Sequence, residues 1–99
     1  MESRHWEEER QERARVIEAI GKGKVIKAFR VDRHHNQGAE IHTISDTGII
    51  TVYNERTRKM ITQLIARPGQ IRRYFKANEA PQELLEVAYK HYRLGYNVA

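Results

Sequence analysis

The chain contains no cysteine. That excludes a disulfide staple, thiolate chemistry and a Cys-ligated zinc site. It has no long apolar run, so no transmembrane helix is expected. Its first residues, Met1-Glu2-Ser3-Arg4-His5, precede a glutamate run where a signal peptide needs an apolar stretch. A soluble, cytoplasmic protein without membrane contact is the expectation. Gly21-Lys22-Gly23-Lys24 is too short for a phosphate-binding loop and follows a helical pattern, not a strand. There is no Gly-x-Ser-x-Gly element and no nucleophile–base pair. His34, His35 and His42 match no standard zinc spacing and no carboxylate pair accompanies them, so neither a metal nor a cofactor is expected.

What is present is charge, unevenly spread. Ninety-nine residues make one small domain, 39% hydrophobic and 31% charged, with a net charge of +5. Residues 2–18 hold six of the thirteen acids, whereas residues 19–78 hold twelve lysines and arginines against four acids, a local excess of +8. A concentrated positive field favours a polyanion such as nucleic acid.

The hydrophobic pattern predicts an α+β domain spanning residues 1–99: an N-terminal helix, a four-stranded antiparallel meander sheet and a C-terminal helix. The first helix covers about 3–20, capped by Ser3, with an apolar stripe of Ala14, Ile17 and Ile20 and a stop at Gly21 and Gly23. The sheet covers about 24–66. Lys24–Val31 alternates with both faces partly apolar, the pattern of an interior strand. Ile41–Ser45, Ile49–Tyr53 and Lys59–Ala66 follow, separated by the turns Asp46-Thr47-Gly48 and Glu55-Arg56-Thr57-Arg58. A short helical turn at 70–75 brings Ile71, Tyr74 and Phe75 onto the sheet. The last helix covers about 81–94, with Leu84, Leu85, Ala88 and Tyr92 as its buried stripe.

Pairing outward from the turns sets Thr43 opposite Thr51 and Thr51 opposite Thr62. One sheet face then carries Ile44, Ile50, Val52, Ile61 and Ile65, toward the helices, with His42 near its end. The other carries a row of hydroxyls that can donate to phosphate oxygens. Meander connectivity also places the loop holding Arg33, His34 and His35 at the same sheet edge as Arg56, Arg58 and Lys59. Imidazoles can move protons at neutral pH, and cations stabilise a phosphate gaining charge. Arg30, Arg33, His34, Arg56, Arg58, Lys59, Arg67, Arg72 and Arg73 are the candidate nucleic-acid contacts, and Tyr53 is a candidate for base stacking.

The segment from His42 to Asn54 and the hairpin Tyr53–Thr62 resemble the sheet core of the small ribonuclease toxins of the barnase, EndoU, colicin and RelE-like group. They are also similar to small proteins of phages and mobile elements. The resemblance covers about residues 24–75. RelE-like toxins open with two helices, whereas one is visible here. The resemblance implies metal-independent cleavage of RNA, the expected partner, on the open sheet face, with His42, Thr51 and Thr62 as catalytic residues and Arg67 or Lys59 steadying phosphate; His35, on its loop, is a further acid–base candidate from the residues alone. The contrasting reading is a non-catalytic phage or mobile-element protein that binds and inhibits a host or defence protein, with the N-terminal helix as a contact surface. A homodimer packed through the threonine face or that helix is a third.

Overall fold

Three short connections join the strands, so each strand has only its chain neighbour within reach. The computed structural model describes residues 2–32, 38–75 and 79–95, with side chains from residue 7 onward. Its elements are α1 (Glu2–Ile20), β1 (Val25–Asp32), β2 (Ala39–Ser45), β3 (Ile49–Asn54), β4 (Met60–Ile65), α2 (Pro68–Tyr74) and α3 (Gln82–Arg93). The sheet order is β1-β2-β3-β4, all antiparallel, which is the expected meander. β1 is therefore an edge strand, not an interior one. Its side chains alternate between exposed and half-buried. Its two basic residues project from opposite faces, Lys27 toward α2 and Arg30 toward Glu55 and Asp32.

The two faces of the sheet are covered unequally. Ile44, Ile50 and Val52 point toward α2 and α3 and form the main core with Ala66, Ile71, Leu84 and Ala88. Ile44, Ile50 and Ile71 are fully buried, and each such side chain contributes about 2–3 kcal/mol of hydrophobic stabilisation. On the opposite face α1 covers one end only, where Ile17 packs on Ile49 and Ile65 with Val16 and Ile20 beside it. Ala14 is exposed and does not belong to the α1 stripe. In α3 the buried stripe runs Leu84, Ala88, His91, and Tyr92 lies outside it at 56% exposure. Positions 84, 88 and 91 follow the i, i+4, i+7 rule of one helix face, which carries 92 out to the side.

The expected register holds between β2 and β3, where Thr43 faces Thr51. It fails along β4. Tyr53 pairs with Met60 as expected, but Val52 then pairs with Thr62 and Thr51 with Gln63. Ile61 is the extra residue of a β-bulge, and a one-residue slip moves every later side chain to the other face. Thr62 and Leu64 therefore share the face of Val52 and Ile50, while Gln63 and Ile65 share that of Thr51 and Ile49. A second bulge at Ile26 turns Val25 away from the face of Lys27 and Phe29.

The Asp46-Thr47-Gly48 turn ties the lower end of the sheet together. Ile49 N donates to Ser45 Oγ (3.1 Å), and Ser45 Oγ lies 2.9 Å from Thr47 Oγ1. Thr47 Oγ1 donates to Gly21 O (2.8 Å) at the end of α1. Since the Gly21 and Lys22 carbonyls (2.8 and 3.1 Å away) can only accept, the Thr47 proton goes to them and the Ser45 proton goes to Thr47. Asp46 Oδ1 accepts from Lys24 N (2.9 Å) at the start of β1. From α3, His91 Nε2 donates to Thr47 O (3.0 Å). Gly48 O accepts from Ala66 N (2.8 Å) at the end of β4. Gly23 lies against this turn with φ +69°, and a Cβ there would sit 2.3 Å from Asp46 Oδ1.

Candidate functional site

The residues expected to form a catalytic site are dispersed. Thr51 lies at the centre of the α1-side face, only 7% exposed, with Oγ1 accepting from Gln63 Nε2 (3.2 Å). Thr43 Oγ1 donates to Thr51 O at a long 3.4 Å. The bulge puts Thr62 on the opposite face, so no row of three hydroxyls forms. His42 is also on the opposite face, buried between Phe29 and Tyr74 with ring centroids 5.6 and 6.1 Å away. Its Nε2 is 3.0 Å from Glu40 Oε1 and its Nδ1 is 3.3 Å from Tyr74 Oη. A carboxylate only accepts, so Nε2 carries a proton and Nδ1 can accept from the phenol. A neutral imidazole satisfies both contacts, and the sheet separates it from Thr51. His35, His34 and Arg33 lie outside the described residues.

The upper rim is as the meander requires at backbone level. Glu55 N donates to Ala39 O (3.1 Å), so the β3–β4 turn sits beside the start of β2. Asn54 Oδ1 accepts from Arg56 N and Thr57 N (2.9 Å each), which holds the turn with Arg56, Arg58 and Lys59 exposed. Arg30 is already engaged: Nε is 2.6 Å from Glu55 Oε2 and Nη1 is 2.7 Å from Asp32 Oδ1. The hydrogen bond to Glu55, and then the Asp32 charge, raise the Arg30 pKa above its ordinary value. Arg30 keeps its charge, but two carboxylates offset it locally. Tyr53 is half-buried on the α1-side face of this end.

The remaining expected cations meet elsewhere. Ile71 is buried between α2 and the sheet, which turns the other side of α2 to solvent. Arg67, Gln70 and Arg73 recur every three residues along that outer side, and Tyr89 and Tyr92 do the same on α3. The two rows flank an open groove of about 450 Å³ floored near Pro68 and Gly69. Arg67 N donates to Gln70 Oε1 (2.9 Å), fixing the first turn of α2. Arg72 Nη2 donates to Tyr89 Oη (2.9 Å), and its guanidinium carbon is 5.7 Å from the ring centroid. Arg73 has no carboxylate partner among the described residues. Behind the groove Lys27 Nζ donates to Tyr74 O (2.6 Å) and lies 4.5 Å from the Phe75 ring centroid. That contact places a cation at the carbonyl end of α2, where the helix dipole favours it.

Tyr89, Tyr92 and Gln70 were not among the expected site residues. Their signal is the three-residue spacing of two tyrosines on the flank of α3 beside Lys90 and Arg93. Among the described residues no three His, Asp or Glu side chains cluster as metal ligands would, and no helix is long and apolar enough to cross a membrane. Compared with family models, with curated proteins and with solved structures, the chain matches none.

Proposed function

We propose that the protein binds nucleic acid through the α2–α3 groove. The observation that carries this reading is one concave surface where Arg67 and Arg73 lie beside two exposed tyrosines, with Arg72 holding one of them. Guanidinium groups suit phosphate because their planar donors match its oxygens. Aromatic rings beside them give bases a stacking surface. The basic charge of the whole chain supports the same reading.

The finer idea of metal-independent RNA cleavage has less support. Such cleavage needs a proton acceptor beside the phosphate. Among the histidines whose side chains are described, His42 is buried and bonded on both ring nitrogens, and His91 is buried against Thr47. Neither lines the groove.

The test is binding of a labelled oligonucleotide as salt is varied. Affinity is expected to fall steeply with salt, and the Arg67→Glu/Arg73→Glu double variant is expected to lose most of it. Binding that ignores both salt and charge reversal would sink the proposal.

The protein-partner reading rests on a different observation. Residues 7–12 of α1 are exposed, and Ile17 is the residue of α1 buried in the core among those described. That leaves a long charged helix surface for a host or defence protein. Removing residues 2–10 tests it: oligonucleotide binding is expected to persist, whereas loss of binding would assign that surface to nucleic acid as well.

A further inference from the structure

We infer that the α2–α3 groove takes an unpaired strand, its bases stacked on Tyr92 and Tyr89 and its phosphates held by Arg67 and Arg73. This deepens the nucleic-acid reading and rests on it. A duplex hides the faces of its bases and offers edges and phosphates alone. A surface built for it is a convex helix or ribbon that enters a groove. The surface here is concave instead: an open groove of about 450 Å³, a volume within the range of small-ligand pockets and enough for a nucleotide whose base is turned out of its strand.

The aromatic rings fit the same occupant. Tyr92 is 56% exposed and Tyr89 is 39% exposed, so both rings offer surface to a base. They are three residues apart on one helix, which places their Cβ atoms about 5–6 Å apart. Successive nucleotides of an extended strand can then use one ring each. The Arg72–Tyr89 hydrogen bond fixes one ring before binding, which lowers the ordering cost of the complex. Gln70 is the polar amide in the groove, and its oxygen is taken by Arg67 N. Only its NH₂ remains for a base edge, so recognition tolerates sequence. Stacking and charge dominate, as in other sequence-tolerant strand binders.

The experiment compares three labelled probes with the full chain: an oligouridylate, an oligothymidylate of the same length, and the duplex of that oligothymidylate with oligoadenylate. Both single strands are expected to bind about tenfold more tightly than the duplex, or better. A preference between the two supports the inference and assigns the sugar. Tyr92→Ala is expected to weaken single-strand binding about tenfold, while Tyr92→Phe keeps the ring and the affinity. Gly69→Glu adds a negative charge where a new Cβ meets nothing within 4 Å, so it is expected to weaken binding without unfolding the chain. Equal binding of duplex and single strands overturns the inference and leaves the nucleic-acid reading standing. So does a Tyr92→Ala variant of unchanged affinity that still loses binding when Arg73→Glu is added. Absence of binding to all three probes overturns both.

Discussion

The two ends of the sheet carry the same kind of element, a hairpin turn, and use it in opposite ways. At the lower end the Asp46-Thr47-Gly48 turn is bonded to the residue after α1, the residue before β1, the residue after β4 and to α3. At the upper end the Glu55–Lys59 turn bonds mainly to Asn54 at its own base, and its basic side chains extend into solvent. The lower turn holds elements far apart in sequence in register with one another. The upper turn is tied to β2 and β1 only through Glu55, by its N–H to Ala39 O and its carboxylate to Arg30, among the described contacts. The difference separates structural duty from surface available to a partner. Hydroxyl and carboxylate groups at the lower end have internal partners, so their chemistry is used up in the fold. Exposed cations of the upper turn (Arg56, Arg58 and Lys59) and Arg73 on α2 have no carboxylate partner among the described residues.

Substitutions at the two ends should separate this contrast by size. The largest effect is expected from Gly23→Ala. Its Cβ would push Asp46 Oδ1 and Thr47 Oγ1 off the bonds they make to Lys24 N and Gly21 O, at a backbone angle that side chains rarely adopt. A loss of about 3 kcal/mol is expected in denaturant unfolding. Thr47→Val keeps the shape and removes the hydroxyl, leaving Gly21 O and the Ser45 hydroxyl short of a partner. About 1–2 kcal/mol should be lost by the same measurement. At the upper end Arg58 adopts φ +63° in an exposed turn. Arg58→Gly relieves that conformation and is expected to raise stability by about 0.5–1 kcal/mol. Arg30→Gln breaks two solvent-exposed ion pairs and is expected to leave the thermal midpoint unchanged. An Arg30 variant that destabilises as much as Thr47→Val would erase the distinction between the ends.

Much of the fold was legible because its signals are local. Short turns, alternating strands and a helix stop at Gly21 are set by neighbouring residues, and they placed all four strands and the Thr43–Thr51 pair. The register of β4 was not legible, because a regular ladder and a bulged one have the same alternation until Ile61 interrupts them. The edge position of β1 was masked by its apolar character on both faces, one side of which comes from Phe29 meeting Tyr74 at 4.8 Å. His91 gave no signal of burial, since its partner is a carbonyl 44 residues away. The groove was half legible. Arg67, Arg72 and Arg73 stood out as cations, but their meeting with Tyr89 and Tyr92 depends on how α2 and α3 pack through Ile71, Leu84 and Ala88.

The bulge in β4 also makes this strand tolerant of shortening. Five residues of β3, Ile49 to Tyr53, are matched by six of β4, Met60 to Ile65. One link of the chain is therefore slack. Excising Ile61 makes the two strands equal, five against five, and leaves every other side chain of the strand pointing where it did. Excising Gln63 also makes them equal, but turns Thr62 over to stand beside Thr51. The hydroxyl row that the native chain lacks is thus a single codon's deletion away.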